Sequence, residues 1–454
     1  MRDRRRWPGR HRPAGASWEG PGMTAEHADA ARSGDRSGAT AGNAAGFAGS
    51  SSGVHEIFDP RRRSDPYPLY RALREAARCH WLSAASPRLG VITRHADCVG
   101  ALQEPVWGHV PMETSAFRPV TEQDEGLRSM LRANPPTHTR LRRLVSRAFT
   151  PATIARFRPM ARALSVELLD AAADHDEVDL VEAFARPLPL RVICSLLGVP
   201  ARDEKVFGAW ASALTRGLDP DQVLDPVERA QRTEATRAFA EYFTELIARR
   251  RAEPADDLLS DLIAVQEQGD RLSVTELLDI CVLLLVAGYD TTVNLVANAV
   301  LALARDPGQY AALRADRELV PAAIEETLRH DPPVQWTGRT ALADTELAGQ
   351  TFQAGDGVVL VAGAAHRDPE VFTDPDRFDI TRYASSTVPA PRHLGFGHGL
   401  HYCLGAPLAR LEAETMLTAL LDRVTRLEVT AEPTYRPHLA VRGVEALRMR
   451  LTIR

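Results

Sequence analysis

Lysine is almost absent from this chain of 454 residues. Of its 55 basic residues only Lys205 is not an arginine, and 60 acidic residues bring the net charge to −5. A balance this close to neutral argues against a nucleic-acid partner. Cysteine is scarce as well. Five residues (Cys79, Cys98, Cys194, Cys281, Cys403) form an odd set with no C-x-x-C pair, which excludes a disulfide framework and fits a reducing compartment. Long hydrophobic runs are missing too. The longest, residues 280–288, falls well short of the roughly 20 residues that span a bilayer. No signal-type segment follows the N-terminal arginines, so the protein is expected in the cytoplasm, away from membranes.

What is present is an ordinary globular composition, 44% hydrophobic and 25% charged, enough for a large core. Residues 1–53 differ from the rest. They are rich in Arg, Gly, Ala and Ser without apolar periodicity, and read as a disordered extension whose arginine cluster is solvated. Met23 offers an alternative start. From Phe58 the composition changes. A helix is expected from Tyr67, then a hairpin on Trp81-Leu82 and Val91-Ile92-Thr93. Residues 104–136 read as a long irregular connection of the kind that often carries function. Helices follow from Pro151 to Arg305, broken near residues 197–200, 217–220, 252–254 and 268–270.

One of these helices starts at a capping box, Ser273-Val274-Thr275-Glu276, and is apolar enough to lie buried. Its centre nevertheless reads Ala287-Gly288-Tyr289-Asp290-Thr291-Thr292. A carboxylate and two hydroxyls in a buried helix need partners, water or a task; a glycine kink with threonines bonded to the preceding turn satisfies the same pattern. Further on, Glu326 and Arg329 share a helix face, a spacing that ordinarily marks an exposed pair. His138 and Arg142 lie four apart on another helix and read alone as a solvated basic face. Short strands are expected over residues 337–361, with a turn at residues 354–357.

The densest signal is His393-Leu394-Gly395-Phe396-Gly397-His398-Gly399-Leu400-His401-Tyr402-Cys403-Leu404-Gly405, a glycine-rich loop running into a helix. A lone cysteine is ordinarily a small buried hydrophobe. Here glycines allow backbone N–H groups to point at the sulfur, and the helix N-terminus adds positive potential, both favouring the thiolate. With no second cysteine or metal-spaced histidine nearby, such a thiolate is a lone axial ligand or a nucleophile.

Phe396, Gly399, Cys403 and Gly405 reproduce F-x-x-G-x-x-x-C-x-G, and in this the chain resembles the soluble bacterial cytochromes P450. The resemblance spans about residues 58–454 and implies a single triangular domain at 54–454, mainly α with minor β, holding haem b (iron protoporphyrin IX) between the long helix and the Cys403 loop. It implies Cys403 as iron ligand. Ala287 and Gly288 match the place where the helix opens over the haem, and Asp290 and Thr291 match the acid and alcohol that deliver protons for dioxygen activation. His138, Arg142, Arg339 and His401 match propionate-binding positions. Glu326 and Arg329 match a buried pair, with Arg377 of Pro375-Asp376-Arg377-Phe378 as its third member.

The activity so implied is a haem-thiolate monooxygenase acting on a hydrophobic small molecule, as in secondary metabolism. With no flavin or iron–sulfur domain expected after Cys403, electrons are expected from a ferredoxin and its reductase, attracted by Arg140, Arg143 and Arg147. A monomer is expected. Alternatives are a peroxide-driven hydroxylase or decarboxylase on the same fold, phenol coupling or desaturation, and a non-catalytic haem-binding or carrier-recruiting module. Substrate contacts are expected from residues 105–135, Ala209 to Gly217, Leu283, Ala287 and Val334-Gln335-Trp336, with Gln335 and Trp336 as polar handles for a polyketide or terpenoid.

Overall fold

A computed structural model describes residues 53–453 apart from 84–85, 111–129, 220–223, 268–269 and 386–389. The expected disordered extension therefore lies outside the described residues, save Gly53.

Helices dominate, and their ends follow local chemistry. Asp225 and Ser273 each close a capping box. Ser273 Oγ accepts from the Glu276 amide at 3.2 Å, while Glu276 Oε2 accepts from the Ser273 amide at 2.8 Å. Proline occupies the first turn of Pro187–Leu196, Pro226–Ala252 and Pro307–Ala315, where its missing N–H costs nothing. The largest apolar cluster is built by these helices and by Ala406–Arg423, which packs closely on Phe157–Ala173.

The helix that starts at Ser273 is two pieces, Val274–Gly288 and Asp290–Arg305, with Tyr289 between them. Taken together, residues 274–305 are long and apolar enough to cross a membrane, which the nine-residue run had concealed. Yet 72% of that apolar window is buried within the protein, as in a core helix. At the break the Thr292 amide bonds Tyr289 O, while the hydroxyls of Thr291 and Thr292 donate to Ala287 O (2.6 Å) and Gly288 O (3.1 Å). Hydroxyls thus occupy carbonyls at the interruption, a recognised cause of helix kinks.

A five-stranded sheet runs in the order Cys79–Ser83, Leu89–Ile92, Gly357–Leu360, Thr337–Ala341, Trp107–Gly108. The expected hairpin is its edge, and Gly357–Leu360 joins Leu89–Ile92 in parallel. A second sheet unites Val424–Val429, Arg448–Ile453 and Val178–Asp179. Between its two C-terminal strands, Thr434–Tyr435 and Val444–Ala446 form a hairpin whose tip folds back to the helix break.

Candidate active site

The Cys403 loop is tied down at both ends. His366 Nε2 accepts from the Leu394 amide at 2.7 Å, and the Cys403 amide donates to Phe396 O at 2.9 Å. Gly399 sits at φ +68°, and a Cβ there would lie 2.3 Å from Leu102 O, so only glycine lets the loop pass the end of helix His95–Gln103. Glu325 clamps the loop from below. It accepts two bonds from Arg410 (2.7 and 2.8 Å) and lies 3.1 Å from His393 Nε2, while Arg410 stacks on Phe396. Against the upward push of burial, these bonds pull the Glu325 carboxyl down to about 2.

Cys403 itself does not behave as the loop alone suggested. Burial raises its thiol above the ordinary value, and the Gly405 and Ala406 amides with Arg142 only partly offset this. Glycines and helix terminus therefore do not make a thiolate unaided; a bound metal cation is what deprotonates a coordinating thiol outright.

The loop faces a cavity of about 480 Å³ lined mostly by apolar side chains. Cys403, Phe396 and Gly405 line it from the loop; Leu283, Ala287, Gly288 and Thr291 line it from the broken helix. Ala287 is exposed in the middle of a buried helix because it borders this space. Gly288 is not forced by sterics, since a Cβ there would meet Ile193 in ordinary contact at 3.4 Å. Asp290 lies behind the wall. Its side chain is fully buried, with Oδ1 held by Arg436 Nη1 at 2.8 Å.

His138, Arg142, Arg339 and His401 all reach the cavity, and His109 joins them. The His401 ring centroid lies 4.2 Å from that of His138 and 5.2 Å from that of His109. His138 Nδ1 and His109 Nε2 are buried without a hydrogen-bond partner among the described residues. Burial, then the neighbouring cations, push His109 down to about 2 and His401 to about 3; burial and Arg142 lower His138. Burial also lowers Arg339 to about 10, its guanidinium bonded among the described residues to Thr337 Oγ1 (3.1 Å) and Gly338 O (2.7 Å). A group of buried donors with depressed affinity for protons is a site that gains by receiving an anion.

Other expectations are corrected by packing. The third member of the Glu326–Arg329 cluster is Arg382, whose Nε meets Glu326 Oε2 at 3.1 Å. Arg377 is exposed and contributes only its carbonyl, to Arg329 Nη2 at 2.9 Å. Gln335 is buried away from the cavity, donating to Pro332 O, and Trp336 lines it but spends its N–H on Leu439 O. The wall next to the expected 209–217 stretch is Leu218 and Asp219; Val334 does line the space. From residues 105–135 the described contributors are His109, Val110, Met130, Leu131 and Arg132. Arg140 is paired with Glu276 and half-buried, whereas Arg143 and Arg147 are exposed. Asp219 and Glu412 also border the cavity and were missed; His109 falls within the expected 105–135 stretch, but its place in the histidine cluster was not foreseen.

A cysteine loop and a broken helix border one apolar cavity, with buried histidine and arginine donors at its wall that suit an anionic group. The chain belongs to the cytochrome P450 family, whose model matches residues 109–438. It is 40% identical to cytochrome P450 107B1 of Saccharopolyspora erythraea, over 87% of this chain and 96% of that protein. It is 41% identical to 6-deoxyerythronolide B hydroxylase of the same organism, over 70% and 77%. The ligand-free crystal structure of CYP164A2 from Mycobacterium smegmatis superposes with a TM-score of 0.79 at 42% identity, covering 88% of this chain and all of that one. The protein is thus a monooxygenase of small molecules, and haem is its family's cofactor.

Proposed function

We propose that the cavity binds haem b, whose iron Cys403 would hold and whose carboxylates His138, Arg142, Arg339 and His401, joined by His109, would receive. The observation that carries this is the pairing of a lone cysteine with buried, anion-seeking donors in one apolar cavity. Bound there, haem would supply the activation of dioxygen needed to place one oxygen atom on the substrate. Thr291, on the cavity wall, holds and donates a proton through its hydroxyl. Asp290 behind it, held in place by Arg436, resupplies that proton. The Glu325–Arg410–His393 clamp and His366 fix the loop so that the sulfur keeps its position.

The apolar lining suits a hydrophobic small molecule, in keeping with a relative named for hydroxylating 6-deoxyerythronolide B and with a role in secondary metabolism. Electrons come from a separate ferredoxin and reductase in the cytoplasm, the exposed Arg143 and Arg147 favouring an acidic donor to a monomeric enzyme.

The test is the carbon monoxide difference spectrum of the dithionite-reduced protein. A strongly red-shifted Soret band is expected and is lost in Cys403→Ser; a band at the imidazole-like position in the unaltered protein overturns the assignment. Thr291→Ala is expected to retain haem and that band while diverting electrons to hydrogen peroxide. Tight coupling in this variant removes Thr291 from the relay.

A further inference from the structure

The helix Asp290–Arg305 carries a polar stripe through the core. Asp290, Asn294 and Asn298 occupy successive turns of one face, about 6 Å apart along the axis, with exposures of 0, 1 and 2%. The C-terminal hairpin roofs this stripe. Arg436 bonds Asp290, and a Cβ on Gly443 would fall 2.1 Å from Asn294 Oδ1, so glycine is what admits the Asn294 amide. At the far end Asn298 Nδ2 donates to Asp331 O at 2.9 Å. The Asp331 carboxylate accepts from Tyr67 Oη (2.6 Å) and from Arg442, and at 15% side-chain exposure it reaches solvent.

Three acceptors along this stripe, Asp290 Oδ2, Asn294 Oδ1 and Asn298 Oδ1, are buried without a hydrogen-bond partner among the described residues. Packing alone does not call for them, because mostly apolar side chains fill the rest of this helix at no such cost. Buried acceptors at this spacing are the kind of group that ordered water satisfies, each water needing two to four polar neighbours.

We propose that Asn294 and Asn298 hold a file of ordered water between Asp331 and Asp290, and that protons reach the relay along it. The inference rests on the relay reading of Asp290 and Thr291. Amides do not titrate, so the proton moves through the waters, entering at the Asp331 carboxylate and leaving at that of Asp290. The demand is set by the reaction R–H + O₂ + 2e⁻ + 2H⁺ → R–OH + H₂O. The electrons come from the separate donor, and both protons must be drawn from solvent.

Two measurements test it. In a crystal structure of the haem-loaded enzyme, water is expected within hydrogen-bond distance of all three acceptors; a dry stripe overturns the proposal. Asn294→Leu and Asn298→Leu remove the amides at similar volume. They are expected to keep haem content and substrate affinity, to raise the share of electrons released as peroxide about tenfold, and to enlarge the solvent deuterium isotope effect. Asp290→Asn separates the two readings. If it uncouples while both leucine variants stay coupled, the relay stands and the route falls. If it stays tightly coupled, the relay reading itself falls. Should the leucine variants fail to fold, the water positions in the unaltered enzyme still decide.

Discussion

His366 shows how one neutral side chain can hold a loop in place. The Leu394 amide can only donate, so Nε2 is the acceptor, and Nδ1 carries the hydrogen that goes to Arg329 O at 3.1 Å. Burial pushes this imidazole well below its ordinary pKa, which keeps the tautomer intact. His366→Phe preserves the ring volume but orphans both backbone groups. We expect a loss of about 1–3 kcal/mol in urea unfolding and faster haem loss; unchanged stability and haem retention would show that the loop is held elsewhere. The sequence shows such residues unevenly. Cys403, Gly399 and Phe396 are legible because their chemistry lies within ten positions. His366 is not, because its meaning depends on two backbone groups from separate elements. Arg436 meets Asp290 across 146 residues, and His109 joins the histidine cluster only through tertiary packing.

Among elements, the boundaries were readable and the partnerships less so. Capping boxes and first-turn prolines mark helix starts locally, whereas the parallel pairing of Leu89–Ile92 with Gly357–Leu360 has no local signal. The Glu326 cluster shows the limit. Two arginines, Arg377 and Arg382, lie five residues apart in one irregular segment, and only its turns decide which side chain points inward. Asp374, at φ +45°, shapes that segment, and Arg382 returns to meet Glu326, Thr373 O (2.7 Å) and Asp374 O (3.3 Å). Arg382→Ala removes a charged donor from a carboxylate that is fully buried, so a loss of roughly 1.5–3 kcal/mol is expected. Arg377→Ala leaves its carbonyl in place and should lie within about 0.5 kcal/mol of the unaltered protein. Thermal unfolding of the two variants checks this, and the reverse ranking would restore Arg377 to the cluster.

Across the whole molecule, buried titratable groups set how the ligand-free protein responds to acid. His138, His366 and His438 are buried and held below their ordinary pKa, His438 at about 3 by burial and the neighbouring Arg216 and Arg436. As pH falls below about 6.5 the unfolded chain takes up protons that these folded sites refuse, at a cost of about 1.4 kcal/mol of stability per pH unit for a site such as His438 that stays neutral to about 3. Burial works in the opposite direction on Glu412 and Asp219, raising both, so the folded state binds protons that the unfolded chain has released. That partly cancels the histidine loss, but only while the unfolded carboxyls remain ionised. Below about pH 4.5 they are protonated in both states and the compensation ends. Glu325, held at about 2 by Arg410 and His393 against burial, then begins to lose its own contribution as pH falls toward that value. The unfolding midpoint of the ligand-free protein should therefore be level above pH 7, decline gently from about 6.5, and fall more steeply below about 4.5. A midpoint that stays level down to pH 4.5 would mean either that Glu412 and Asp219 cancel the histidine loss in full or that the histidines take up protons in the fold.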